Sequence, residues 1–162
     1  MAIQMGRSRV TVRVNRPAAT VYGAIASHVA TNEPAWEPEV LGVRGVDGGP
    51  LRVGYRAVMT RKDSGRVRDT TYEVTALEPP KRLAVRHLDG PMRFALDWTV
   101  VPVSESATDV TATVDIELHG TMRLLTPIFA LFEGARSRRI TQAMATALEG
   151  AIDPGLARSV TG

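Results

Sequence analysis

Val10, Val12 and Val14 alternate with Thr11 and Arg13, a period of two that predicts a half-buried strand. Pro17 then opens an alanine-rich stretch to Ser27, with Val21 and Ile25 one helical turn apart. A proline at the start of a helix loses no needed N–H, so a short helix is expected here. Residues 31–38 place two prolines around Trp36 and read as a loop, followed by a short strand from Glu39 to Val46. Turn chemistry follows at Asp47-Gly48-Gly49-Pro50. Strands are expected over residues 55–62 and 66–77, joined at Asp63-Ser64-Gly65, a good hairpin loop. Pro79-Pro80 breaks the chain before a strand at 82–88, and Asp89-Gly90-Pro91 turns it into another at 94–103. A polar turn at 104–108 leads to the last strand, 109–118. Turns this short force neighbouring strands to be antiparallel. From Thr126-Pro127 the period lengthens to that of a helix running to about Ala151, closed by Asp153-Pro154-Gly155.

The order is strand, short helix, about six strands and a long helix. It predicts an α+β domain in which a curved antiparallel sheet of about seven strands grips the C-terminal helix. A single domain over residues 1–162 is expected, with its core at about 8–151 and residues 155–162 as a frayed tail. The composition, 44% hydrophobic and 23% charged, is that of a globular protein. Apart from Lys62 and Lys81 the basic residues are all arginine, and they alternate with acids. No basic face interleaved with aromatics is visible, so no nucleic-acid partner is expected. The absence of cysteine excludes disulfides, thiolate nucleophiles and cysteine-ligated metals. No run of ~18 apolar residues occurs, so no stable membrane insertion is expected. Residues 1–10 hold arginines but no apolar h-region, so the expected location is the cytoplasm.

Several segments are similar to one known group in order and spacing. Val10-x-Val-x-Val-Asn-Arg-Pro-Ala-Ala-Thr-Val-Tyr is a strand and a proline-led helix, and Trp36-Glu-Pro-Glu-Val is a tryptophan-bearing turn before a strand. Gly49-Pro-Leu-Arg-Val-Gly-Tyr gives a glycine-bearing loop, and Tyr72-Glu-Val-Thr-Ala-Leu-Glu-Pro-Pro-Lys-Arg-Leu a strand, double-proline turn and strand. Over roughly Val10 to Ala151 the chain resembles the START-like helix-grip superfamily (SRPBCC), in its polyketide cyclase/dehydrase and lipid-transport group. The resemblance implies the helix-grip fold and a ligand cavity beneath the long helix. It does not choose among functions, because the superfamily carries lipids, cyclises polyketides and assists other proteins.

Strand alternation sorts the side chains into two faces. Tyr72, Val74 and Ala76 share one side, as do Leu83, Val85 and His87, then Phe94, Leu96, Trp98 and Val100, and finally Val110 to Leu118 in steps of two. These sets are expected to face the helix, leaving Glu73, Arg86, Asp97, Asp115 and Glu117 outside. The lining expected from these strands therefore holds no carboxylate, and the Asp115/Glu117 pair reads as a solvated face rather than an acid–base pair. Ligand-contacting candidates from the sheet are Tyr72, Val85, His87, Phe94, Leu96, Trp98 and Ile116, with Tyr55 and Arg68 near strand ends and Trp36 at the mouth. The helix offers Met122, Phe129, Phe132 and Arg136; Leu124, Leu125, Ile128, Phe132, Ala135, Ala143 and Ala147 form its apolar side, with Arg136 and Arg139 among them. Either arginine could meet an anionic ligand group, although snorkelling to the rim is the simpler role. His87 could act as an acid–base group, the plainer reading being a half-exposed residue at a strand end. His28 and His119 lie near loops, and three scattered histidines make no metal site.

Three functions fit. The leading one is binding of a small lipid-like or polyketide-like molecule, without a cofactor, by a monomer or homodimer. The second is an aromatase/cyclase-type enzyme using Tyr72, His87 and Arg136 in the same cavity. The third is a protein-interaction module of co-chaperone or antitoxin type, which requires a collapsed cavity and an exposed apolar patch.

Overall fold

The computed structural model describes residues 3–90, 92–118, 124 and 126–150, leaving aside the side chains of 3–5, 92, 126, 127, 129–131 and 133. Met122, Leu125 and His119, and the side chain of Phe129, lie outside the described residues. The elements are β1 (Ile3–Val14), α1 (Ala18–Thr31), β2 (Val40–Gly45), β3 (Arg56–Asp63), β4 (Arg66–Glu78), β5 (Arg82–His87), β6 (Met92–Ser104), β7 (Ala107–Leu118) and α2 (Thr126–Gly150). The seven strands form one curved antiparallel sheet in the order β1-β7-β6-β5-β4-β3-β2. This is the expected helix-grip architecture: β1 closes on the last strand, and α2 packs mainly over β1.

Each alternating run buries one side. On β7 every second residue from Thr108 to Leu118 is buried. The outer side carries charge pairs, three in register (Arg7 with Asp115, Arg13 with Asp109 and Arg86 with Glu73) and one diagonal (Arg82 with Asp97). Such exposed pairs are worth little stability. They do show that Asp115, one of the Asp115/Glu117 pair, points away from the core.

Two expectations fail locally. The short helix does not stop at Ser27 but runs one turn further, to Asn32, which takes the left-handed conformation (φ 63°) and bonds its N–H to the His28 carbonyl at 2.8 Å. Asparagine tolerates that conformation and makes a good helix end. On β4 the alternation breaks at Thr75, where a bulge leaves Val74 opposite Val85 but Ala76 opposite Ala84. The extra residue reverses the faces beyond it, so Leu77, opposite Leu83, faces the core and Ala76 does not.

Gly45, at the end of β2, shows how tightly this edge packs. A Cβ there would overlap the hydroxyl of Tyr55, whose side chain is buried. Gly45→Ala is therefore expected to cost about 1–3 kcal/mol by overpacking. The check is a lower urea midpoint with an unchanged m-value.

Candidate functional site

Between the concave face of the sheet and α2 lies a cavity of about 830 Å³, within the range of small-molecule sites. The sheet supplies Tyr72, Val85, His87, Phe94, Leu96, Trp98, Ala112 and Val114, and α1 with its following loop supplies His28, Val29, Asn32, Trp36 and Glu37. The β3–β4 hairpin forms one side of the mouth, with Arg61, Asp63, Ser64, Arg66 and Arg68.

The face of α2 over the cavity is not the one that carries Leu124, Ile128 and Phe132. Ser137, Thr141, Met144 and Leu148 are buried, whereas Leu124, Ile128 and Phe132 are 85%, 54% and 71% exposed. At ~100° per residue Phe132 lies nearly opposite the buried face, which corrects its place in the expected lining. Toward the cavity α2 presents Ser137, Ile140, Thr141 and Met144, a mixture of small polar and larger apolar side chains. Thr141 can sit there because its hydroxyl donates to the Ser137 carbonyl at 2.6 Å, so no polar group is stranded.

Of the remaining expected ligand contacts, Trp36, Tyr72, Val85, His87, Phe94, Leu96, Trp98 and Arg136 border the cavity. Tyr55 instead lies against Gly45 and stands outside the lining. Ile116 is buried beside it, in a cluster with Val114, Leu118, Phe94 and Leu96. Arg136 brings its guanidinium carbon 5.6 Å from the centre of the Phe94 ring, while Arg139 is exposed and reaches Glu39 at 3.9 Å.

The polar groups fall into three arrangements. The Tyr72 hydroxyl donates to the carbonyl of Val29, one of the acceptors left open at a helix C-terminus. Burial raises its pKa, with Tyr55 adding to the effect, so the phenol stays protonated and committed to α1. Its ring lies 6.3 Å from His87, which meets Phe94 edge-on at 5.5 Å. Burial pulls the His87 pKa down to about 4, helped by Arg61 and Arg136 and opposed by Asp89. The imidazole is thus neutral at neutral pH.

His28 stacks on Trp36 with ring centres 3.4 Å apart, and its Nδ1–H donates to the Pro34 carbonyl at 2.8 Å. Burial lowers its pKa to about 4 as well, against the Pro34 hydrogen bond. The third arrangement is an ion cluster that strand sorting missed. Arg61 donates from Nη1 to Glu37 at 3.0 Å, and from Nε and Nη2 to Asp63 at 3.2 and 3.3 Å. The expectation that the sorted strands bring no carboxylate to the lining did not cover these two, since Glu37 comes from a loop and Asp63 from the end of β3; it is corrected by Asp69 of β4, which also borders the cavity. Arg61 itself was legible: it shares strand parity with Ala57 and Met59, which face inward. Among the described residues no group of three or more potential ligands could hold a metal ion. No described helix is long and apolar enough to cross a membrane.

A helix-grip domain with a cavity under its long helix is the class these features define. Residues 5–161 match the family described as polyketide cyclase/dehydrase and lipid transport. The chain belongs to that family. No curated protein matches it. Among solved structures it is similar to the di-domain aromatase/cyclase BexL from the BE-7585A biosynthetic pathway, with TM-score 0.77 and 21% identity over 93% of this chain and 48% of that one. It therefore spans about half of that di-domain protein. It is also similar to the Zhui aromatase/cyclase from Streptomyces sp. R1128, with TM-score 0.69 and 19% identity over 90% and 92% of the two chains. A START superfamily protein from Mycobacterium smegmatis gives TM-score 0.69 and 17% identity over 88% and 97%. At these identities the structural likeness establishes the fold.

Proposed function

We propose that the chain binds a small, hydrophobic, lipid-like or polyketide-like molecule in the cavity between the sheet and α2. The observation that carries this reading is the cavity itself: about 830 Å³, floored by apolar side chains and bordered by histidines that are neutral at neutral pH. The same cavity counts against a purely protein-interacting module, which requires a collapsed one. Burying ~300 Å² of apolar ligand surface gives a gross stabilisation of about 7 kcal/mol. Association costs remove several kcal/mol, so shape alone supports only micromolar to millimolar binding.

Both tryptophans of the chain, Trp36 and Trp98, border the cavity, so binding has a built-in reporter. A fitting ligand is expected to change the intrinsic fluorescence saturably, with Trp36→Phe and Trp98→Phe each keeping part of the signal. Native mass spectrometry of the same sample should show the added mass. No saturable change with any member of an apolar panel, together with a clean apo mass, would sink the reading.

Catalysis of aromatase/cyclase type is the second reading, favoured by the neutral His87 and the cationic Arg136 meeting around the Phe94 ring. Such a pair could take a proton from an activated carbon and hold the resulting enolate. An imidazole with a pKa of about 4 is a weak base at neutral pH, and the Tyr72 hydroxyl is already engaged. These two facts rank binding ahead of catalysis. Cyclisation of a poly-β-carbonyl probe that His87→Gln abolishes would reverse the ranking.

A further inference from the structure

The strand register places two arginines face to face at the cavity mouth. Arg61 of β3 pairs directly with Arg68 of β4, and both border the cavity, as does Arg66 two residues before. Like charges directly opposite each other in a sheet repel. Around Arg61 the repulsion is answered from within, since Glu37 and Asp63 occupy its fork.

The other carboxylates at this end are committed elsewhere. Asp69 accepts from Thr60 at 2.6 Å and pairs with Arg44 at 3.4 Å, and Asp89 accepts from the Thr71 N–H at 3.1 Å. Among the described residues none of them pairs with Arg68. Arg136 approaches from α2 across Phe94. Arginines thus border the cavity from both the sheet and α2, Arg61 and Arg136 both close enough to act on His87, while Leu96, Trp98 and Met144 give the lining apolar surface.

We propose that the ligand of this cavity is an amphiphile with an anionic head, its carboxylate or phosphate held by Arg68 and Arg136 and its apolar body against Leu96, Trp98 and Met144. This inference rests on the cavity reading above and names the ligand class for it. Guanidinium groups suit such heads because charge-assisted hydrogen bonds to carboxylate and phosphate are short and strong.

The test compares decanoic acid, decyl phosphate and decanol, three probes with one tail and different heads, at neutral pH and low salt, by tryptophan fluorescence. At least one of the acids is expected to bind roughly tenfold more tightly than decanol, and which one it is identifies the head. Arg68→Gln, an exposed position that should not disturb folding, should bring the acid-to-alcohol ratio close to one, and Arg136→Gln should reduce it independently. Decanol binding as tightly as both acids, or ratios untouched by both substitutions, overturns the head-group assignment and leaves the cavity reading standing. If no probe and no member of a wider apolar panel binds, and native mass spectrometry shows a clean apo mass, the cavity reading fails and the head-group assignment falls with it.

Discussion

Lowering the pH from ~7 to ~4 is expected to weaken the fold by several kcal/mol, most of it lost between pH ~6.5 and ~4.5. The groups responsible are His28 and His87, each held at a pKa of about 4 chiefly by burial, against an ordinary value of 6.5. Between those values the unfolded chain binds protons that the folded chain refuses, so stability is fully present above pH ~6.5 and is lost as pH falls towards ~4. Each histidine can contribute on the order of 2–3 kcal/mol, with a slope approaching ~1.4 kcal/mol per pH step. The surroundings differ. His87 faces Arg61, Arg136 and Asp89, whereas His28 is sandwiched against Trp36 with only the Pro34 carbonyl to favour its charge.

The carboxylates whose pKa is depressed, Asp69 and Asp109, act lower, below their ordinary 3.8, and do not blur this window. Urea midpoints across the range should fall steadily for the parent, and about half as steeply for His87→Gln and for His28→Gln. Unchanged slopes in both variants would remove the histidines from the account. Because a domain of this size is typically stable by only 5–15 kcal/mol, the effect is large enough to unfold part of the population at pH ~4.

The same residues show where the sequence was informative. Strict alternation on β7 placed Val110 to Leu118 correctly, since both its neighbours pair in register along almost the whole strand. On β4 the rule held as far as Val74 and failed at Thr75, where nothing in the local sequence marks the bulge that brings Leu77 inward. The α2 helix misled for a different reason. Its large apolar residues, Ile128 and Phe132, dominate any helical projection, yet the packed face is Ser137, Thr141, Met144 and Leu148. That face mixes two small polar residues with Met144 and Leu148, so the positions of the bulkiest apolar residues are a poor guide to it. His87 and Trp98 were reachable by strand parity, whereas Arg136 borders the cavity although it was grouped with Ile128 and Phe132 on a side that is exposed. The Glu37–Arg61–Asp63 cluster and the His28–Trp36 stack were not, because each joins a loop or helix end to a distant element, and only tertiary contact reveals the pairing.

That cluster carries the largest effect expected of a single substitution. Arg61 and Glu37 keep only 13% of their side chains exposed, and removing one partner of a buried ion pair costs about 3–5 kcal/mol because the other charge is stranded. Arg61→Ala is therefore expected to destabilise the domain by about 3 kcal/mol, towards the low end because Asp63 is half exposed and can turn to water. Lysine is not an adequate replacement, since one ammonium cannot span two carboxylates as the planar fork does. If the cost comes from the stranded Glu37, then Arg61→Met combined with Glu37→Leu should recover most of it, and a double-mutant cycle measures the coupling directly.

Two further readouts follow from the position of Arg61. Glu37 is the neighbour of Trp36, so losing its partner loosens the loop that covers the cavity and should shift the Trp36 emission. Arg61 also helps to keep His87 uncharged, so its removal should raise the His87 pKa from about 4 towards the ordinary value. That shift is visible in the imidazole proton resonances, and the acid sensitivity of the variant should shrink accordingly. A cost below about 0.5 kcal/mol, the level of an ordinary surface substitution, with Trp36 emission unmoved, would mean that the His28–Trp36 stack alone holds the loop and that the ion cluster is solvated in practice.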